Sequence, residues 1–157
     1  MVQSIRPGEI AVEVPEADDA CLRFIGRLRT PWLRREDCPR QGDPAGPDCR
    51  IEVFAPWDQA LMGLEAPGQL QVLYWLDQSR RDLVVQRPKG GDRLFGTFAL
   101  RSPVRPNPIG SAIVTLIGIE GAVLRVRGLD CVDGTPLLDL KPFRLPGLAN
   151  RRSTPDS

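Results

Sequence analysis

SAIVTLIGIE GAVLRVRGLD CVDGTPLLDL (residues 111–140) shows most plainly how the chain is built. It holds three short runs rich in Val, Ile and Leu, at 111–119, 123–129 and 137–140, separated by Gly-Ala and Asp133-Gly134. Apolar runs of this length, punctuated by glycine and bounded by a turn dipeptide, are strands and not helices. Arg125 and Arg127 alternate with Leu124 and Val126, so the two arginines share the solvent face of their strand. The pattern extends toward the N-terminus. Ile10, Val12 and Val14 alternate with Ala11 and Glu13, and further strand-like runs cover 21–29, 49–54, 69–77, 82–86 and 94–100. Only 57–64 reads as a helix, about two turns long, with Leu61 and Leu64 inward. Eight or nine strands and almost no helix predict an all-β fold, a closed or nearly closed antiparallel β-barrel with one short helix and a long Pro-rich loop. The alternation of strands with long helices that a doubly wound sheet requires is missing. Residues 1–147 form the expected single domain, and 148–157 a frayed polar tail.

Composition narrows the chemistry. The chain has 157 residues, 41% of them apolar, and a net charge of +1, which suits one globular domain and argues against coating nucleic acid by bulk electrostatics. Nineteen of the 21 basic residues are arginine. Genomic base composition accounts for such an excess, and so does a need for planar, bidentate groups that grip phosphates or bases; only position separates the two. Histidine is absent. That excludes Ser-His-Asp and Cys-His nucleophile systems and His-ligated zinc. The four cysteines, Cys21, Cys38, Cys49 and Cys131, show no C-x-x-C pairing, so thiols are expected and a metal is not. The first residues, Met1-Val-Gln-Ser-Ile-Arg6, are not followed by an apolar segment of signal-peptide type, and no apolar run is long enough to cross a membrane. A cytoplasmic location is expected.

Three segments carry polar groups in unusual settings. Arg101-Ser-Pro-Val-Arg105-Pro-Asn107-Pro-Ile-Gly110 surrounds two arginines and an asparagine with three prolines, which fix φ and remove donors. Such a loop is stiff and mostly extended, and makes Arg101, Arg105 and Asn107 candidate recognition groups. Residues 30–48 hold four prolines, two glycines and a charged cluster with Arg34, Arg35 and Arg40. A loop this long in a compact domain is either a solvated surface or a binding element. The third segment, 128–142, gathers Asp130, Asp133, Asp139 and Lys141 around the Asp133-Gly134 turn. It resembles the D-x-D-G-T of haloacid-dehalogenase phosphatases but has D-x-x-D-G-T, which sets Cys131 where that nucleophile would stand. Gly90, Gly91 and Gly96 do not match a phosphate loop, since no helix follows them.

The proline segment (Phe98-Ala-Leu-Arg101-Ser-Pro-x-Arg105-Pro-Asn-Pro-Ile-Gly110) and the acidic segment (Leu129-Asp130-x-x-Asp133-Gly-Thr-Pro-x-x-Asp139-x-Lys141-Pro-Phe143) together closely resemble the TsaA/TrmO-like family. Pro39-Arg40-Gln41 and the run at 51–64 add to the likeness, which covers roughly residues 22–143. Members are S-adenosylmethionine-dependent methyltransferases on an antiparallel β-barrel, dimeric, and those characterised methylate N6 of threonylcarbamoyladenosine at position 37 of tRNA. The resemblance implies cofactor contacts from Pro39, Arg40, Gln41, Leu76, Asp77, Arg101 and Ser111, and from Asp130, Cys131, Val132 and Asp133. It implies an anticodon loop as partner, a homodimer, and RNA gripped by the barrel, the dimer or the 30–48 loop.

The residue chemistry agrees with that expectation. Asp130 or Asp133 suits a ribose diol or an ammonium, and Arg101 a carboxylate held by two parallel bonds. Methyl transfer from an activated sulfonium leaves positioning to supply much of the rate, up to about 7–11 kcal/mol in well-oriented cases, so the lack of histidine is tolerable. Asp133 is the expected base, with Lys141 and Asn107 orienting the acceptor. Arg105, Asn107, Arg34 and Arg35 are the expected RNA contacts. Two other functions remain open at this point: methyl transfer to another RNA or a metabolite, and a non-catalytic module that binds S-adenosylmethionine or RNA.

Overall fold

A computed structural model describes residues 4–18 and 20–144; the expected tail at 148–157, and the last three residues of the expected domain, lie outside them. Nine strands follow in chain order: β1 (Ile10–Ala11), β2 (Gly26–Arg29), β3 (Cys49–Val53), β4 (Gly68–Trp75), β5 (Leu83–Gln86), β6 (Phe95–Gly96), β7 (Ile109–Glu120), β8 (Val123–Arg127) and β9 (Pro136–Pro142). Six of them close into an antiparallel barrel in the order β2-β3-β8-β7-β4-β9, with β9 returning to β2. The all-β barrel read from the sequence is therefore the fold. Alternation explains it residue by residue. On β4, Leu70, Val72 and Tyr74 point inward while Gln69, Gln71, Leu73 and Trp75 do not; β3 and β8 alternate in the same way. Leu28, Ile51, Val72, Leu116, Leu124, Val126 and Leu137 are wholly buried in the interior, and each such side chain contributes about 1.5–3 kcal/mol relative to exposure.

Several expected elements are shorter than their apolar pattern. The run at 57–64 forms a 3-10 segment over Trp57–Leu61 and not a two-turn helix. With Pro56 before it and Gly63 and Pro67 soon after, too few residues remain to offset helix nucleation. Leu61 and Leu64 nevertheless pack against the core. The run at 21–29 pairs only over Gly26–Arg29, leaving Leu22 and Phe24 about half exposed. The runs at 10–14 and 94–100 reduce to two-residue strands, the second continuing as a 3-10 turn at Thr97–Ala99. Both flank β5 in a small sheet of order β1-β5-β6 that stands outside the barrel. Each pairs with β5 over two residues only, so alternation alone does not extend them.

The topology sorts the connections by length. In an antiparallel ring the C-terminal ends of β2, β4 and β8 share one rim with the starts of β3, β7 and β9. Three long connections, 30–48, 76–108 and 128–135, therefore all emerge at that rim. The opposite rim carries the tight turn between β7 and β8 and the segment 54–67. Every polar segment singled out in the sequence, except Lys141 and its neighbour Asp139, belongs to the long-loop rim. Among the described residues no helix is long and apolar enough to cross a membrane.

Candidate functional site

The centre of the long-loop rim is built around Tyr74, the single tyrosine of the chain. Its place on β4 turns the ring inward, 4% exposed, and the hydroxyl donates to Asp130 Oδ1 at 2.6 Å. Across the strand pair it faces Gly110, the last residue of the proline segment. A Cβ at position 110 would fall on the Tyr74 ring, so glycine is required there for the ring to fit. Burial, then the neighbouring Asp130 charge, pushes the Tyr74 hydroxyl well above its usual range, partly countered by the positive charge of Arg101. Tyr74 is thus a permanent donor. One carboxylate oxygen of the half-buried Asp130 is fixed by it, and Oδ2 has no hydrogen bond among the described residues.

The other loops close around this pair. Arg101 is exposed and donates from Nη2 to the Ser111 carbonyl at 3.3 Å, leaving most of its guanidinium edge open. Cys38 lies where Asp130 is felt: burial first, then that charge, raises its thiol. The adjoining Pro39-Arg40-Gln41 turn is seated by Gly42, where a Cβ would land on the Gly128 carbonyl, two residues before Asp130. Arg40 is exposed and has no hydrogen bond or ion pair among the described residues. Leu76 N–H donates to the Pro108 carbonyl at 2.8 Å, tying the end of β4 to the proline segment, and Asp77 beside it is exposed. Arg35 Nη1 reaches the Gln78 carbonyl at 3.5 Å, linking the 30–48 loop to the same corner. Asp130, Arg101, Pro39-Arg40-Gln41 and Leu76-Asp77 therefore belong to one rim, with Cys131 buried beneath them and its thiol pushed up by that burial. Ser111 differs: its hydroxyl accepts from Gln71 Nε2 at 3.2 Å on the outer face of the barrel, and its carbonyl alone meets Arg101.

The three expected catalytic residues make no contact with one another. Asp133 Oδ1 accepts from the Thr30 N–H at 3.1 Å and Oδ2 from Arg29 Nη1 at 3.5 Å, while its own N–H donates to the Trp32 carbonyl at 2.7 Å. Both carboxylate oxygens thus brace the joint between β2 and the 128–135 loop. Asn107 Oδ1 accepts from Arg81 Nη2 at 3.3 Å; Arg81 also donates to the Pro106 carbonyl at 2.6 Å and covers the Trp75 ring. Lys141 is exposed, pairs with Asp139 at 2.9 Å, and lies opposite Gln71, four positions along β4 from Trp75. At about 3.3 Å per residue, that is some 13 Å below the rim.

Of the expected RNA contacts, Arg105 is partly buried and donates from Nη1 to the Leu100 carbonyl at 2.6 Å and the Ser102 carbonyl at 3.3 Å. It stiffens the proline segment from within. Arg34 is exposed and pairs with Asp37 at 3.0 Å and Glu36 at 3.8 Å. Tyr74, Gly110 and Arg81 were not singled out by the sequence reading. The available signal was a lone tyrosine at an inward position of an alternating strand, since a buried hydroxyl needs a partner.

The donor set fits S-adenosylmethionine. A preoriented carboxylate with one free oxygen suits a ribose diol or an ammonium, and an open guanidinium suits the amino-acid carboxylate. No cluster of His, Cys, Asp and Glu among the described residues has metal-holding geometry.

Comparison with known proteins agrees with the fold. Residues 27–146 match the family model described as the tRNA-methyltransferase O N-terminal domain. The chain is 52% identical over 140 residues to a probable S-adenosyl-L-methionine-binding protein VirR of Rhizobium radiobacter, covering 89% of this chain and 80% of that one. It is 36% identical over 130 residues to the tRNA (adenine(37)-N6)-methyltransferase of Escherichia coli, covering 76% of this chain and 55% of that protein. A crystal structure of TrmO from Pseudomonas aeruginosa superposes with a TM-score of 0.67 at 31% identity, over 90% of this chain and 62% of that one. The chain thus spans only part of the length of these last two. With the barrel, the rim loops and the sequence match in agreement, the chain belongs to the tRNA-methyltransferase O family.

Proposed function

We propose that this chain binds S-adenosylmethionine at the long-loop rim and methylates N6 of threonylcarbamoyladenosine at position 37 of tRNA, working as a homodimer on the anticodon loop. The observation that carries the reading is the Tyr74–Asp130 bond at 2.6 Å, which fixes a carboxylate on the rim from which the loops bearing Arg101 and the 39–41 turn also emerge. When bound, S-adenosylmethionine supplies a methyl group already activated as a sulfonium. The work left to the protein is positional. Asp130 accepts from a hydroxyl or ammonium through its free oxygen, Arg101 holds a carboxylate, and Pro39-Arg40-Gln41 with Leu76-Asp77 walls the cofactor. Asp133 is assigned to bracing the loop and not to taking the proton, because both its oxygens already accept hydrogen bonds. The acceptor nitrogen, flanked by a carbonyl and a purine, then loses its proton to solvent. Asn107 stands on the same rim and orients the acceptor. Lys141, lower on β9, meets RNA outside the cofactor centre.

The test is incubation of the protein and S-adenosylmethionine with tRNA from a strain lacking this gene, followed by nucleoside mass spectrometry. Conversion of threonylcarbamoyladenosine to a species one methyl heavier is expected. Cofactor binding without any change in tRNA nucleosides would refute the tRNA reading.

A further inference from the structure

The solvent face of β2, β3 and β8 carries an arrangement that the cofactor site does not use. Arg29 pairs directly with Arg50, and Arg50 directly with Arg125, so three arginines form one row across three adjacent strands. Arg27 and Arg127 occupy the same outer face one alternation away. Like charges directly opposite one another disfavour a sheet pair. Carboxylates relieve the ends of the row only. Glu52 accepts from Arg29 at 3.1 Å, Asp133 lies 3.5 Å from Arg29, and Asp48 pairs with Arg127 at 2.6 Å and Arg125 at 3.9 Å. Arg50, at the centre, is exposed and has no ion pair or hydrogen bond among the described residues. A polar groove of about 600 Å³ opens beside it, lined by Arg29, Asp48, Arg50, Glu52 and Asp133. The groove thus ends on the outer side of the 128–135 loop, whose other side presents Asp130 to the rim.

We propose that this row is a phosphate-tracking surface that holds the backbone of an RNA strand while a base enters the rim. The proposal rests on the tRNA reading above. Strand spacing of about 4.8 Å sets the three guanidinium stems across roughly 10 Å, and guanidinium forks bind phosphate with two parallel bonds. The carboxylates at either end of the row disfavour a continuous anionic surface such as a membrane, but leave Arg50 at its centre open to a phosphodiester. With a net charge of +1 the chain has no bulk attraction for RNA, so its grip must be local.

The experiment compares wild type, R50Q/R125Q and R50K/R125K. Affinity for tRNA is measured by fluorescence anisotropy across a potassium chloride series, alongside methylation of the same tRNA, calorimetric S-adenosylmethionine binding and co-sedimentation with phosphatidylserine-containing vesicles. In the Gln variant, tRNA binding weakens and the slope of log K against log salt shrinks by about 0.7 for each phosphate no longer neutralised, hence about 1.4 for two. The Lys variant keeps the slope, and cofactor affinity is unchanged in both. A wild type that binds and methylates tRNA, with a Gln variant of equal affinity and slope, overturns the row alone. A wild type that binds no tRNA even at the lowest salt overturns the tRNA reading and the row with it. Loss of binding to anionic vesicles in the Gln variant, with tRNA binding intact, reassigns the surface to membranes and overturns the proposal.

Discussion

Replacing Tyr74 with Phe tests the centre of the site with little steric change, because the ring that fills the space under Gly110 is kept and only the hydroxyl is lost. A hydrogen bond to an ionised group contributes about 1.5–3 kcal/mol. Asp130 is half-buried, so water restores part of that in the variant, and a coupling of about 1–2 kcal/mol remains. A double-mutant cycle of Tyr74→Phe and Asp130→Asn, read by urea denaturation, isolates that term. For the cofactor, a freed Asp130 loses its preset orientation; a loss of about 1–2 kcal/mol corresponds to roughly 5–30-fold weaker S-adenosylmethionine binding by calorimetry. The buried ring also sets a pH dependence. Burial first, then the Asp130 charge and bond, raise the Tyr74 pKa on folding, so the stability linked to its protonated form is complete below the unfolded value near 10 and declines as pH rises beyond it. No phenolate absorbance should develop before alkaline unfolding, because this is the only tyrosine in the chain. A coupling below about 0.5 kcal/mol together with unchanged cofactor affinity in Tyr74→Phe would refute the assignment of this pair as the cofactor anchor.

Two further perturbations reach the rim and the N-terminal segment. Gly42→Ala places a methyl group on the Gly128 carbonyl, so the 39–41 turn must shift; cofactor affinity is expected to fall at least tenfold by calorimetry, with only a modest change in thermal midpoint, since the turn lies outside the barrel. Burial raises the Glu9 carboxyl, but hydrogen bonds from the backbone N–H groups of Arg6 and Arg87 outweigh it and hold the pKa below the ordinary value. The tie of this segment to the end of β5 is therefore complete above about pH 4.3 and is lost as pH falls through the folded value; Glu9→Gln should increase limited proteolysis near residues 6–12 at neutral pH, with the difference from wild type vanishing in acid.

The barrel was legible because its signal is local: inward Leu, Val and Ile alternate with outward polar residues on β3, β4 and β8, and Gly121 and Gly134 mark turns. The small outer sheet was less so. Ile10, Val12 and Val14 alternate as a strand should, yet only two residues pair, since pairing depends on what lies alongside and not on the pattern itself. The site divides in the same way. Asp130 and Arg101 stand out in their own segments and the 39–41 turn enters only through the family resemblance, but the donor that fixes Asp130 comes from β4, 56 positions earlier in the chain, and no local pattern joins the two. Arg105 was misleading for the opposite reason. Its position between prolines marks it for recognition, whereas the carbonyls at 100 and 102 take up one of its guanidinium nitrogens, Nη1.

Asp130 and Asp133 stand three positions apart, both at the rim, and their hydrogen bonds separate them. Asp133 receives an amide and a guanidinium, groups that cannot leave without opening the joint between β2 and the 128–135 loop. Asp130 receives one neutral hydroxyl and keeps an oxygen free. A carboxylate in the first situation resists exchange of partners; one in the second can accept a ligand without disturbing the fold. Their amide substitutions should therefore divide as well. Asp133→Asn should act mainly on stability, by loosening the Thr30 and Arg29 contacts, whereas Asp130→Asn should act mainly on cofactor affinity and turnover. If Asp133→Asn instead abolished turnover at unchanged stability and cofactor affinity, the proton would have to leave through Asp133, and the bracing contacts in the absence of ligand would describe a resting state that substrate rearranges.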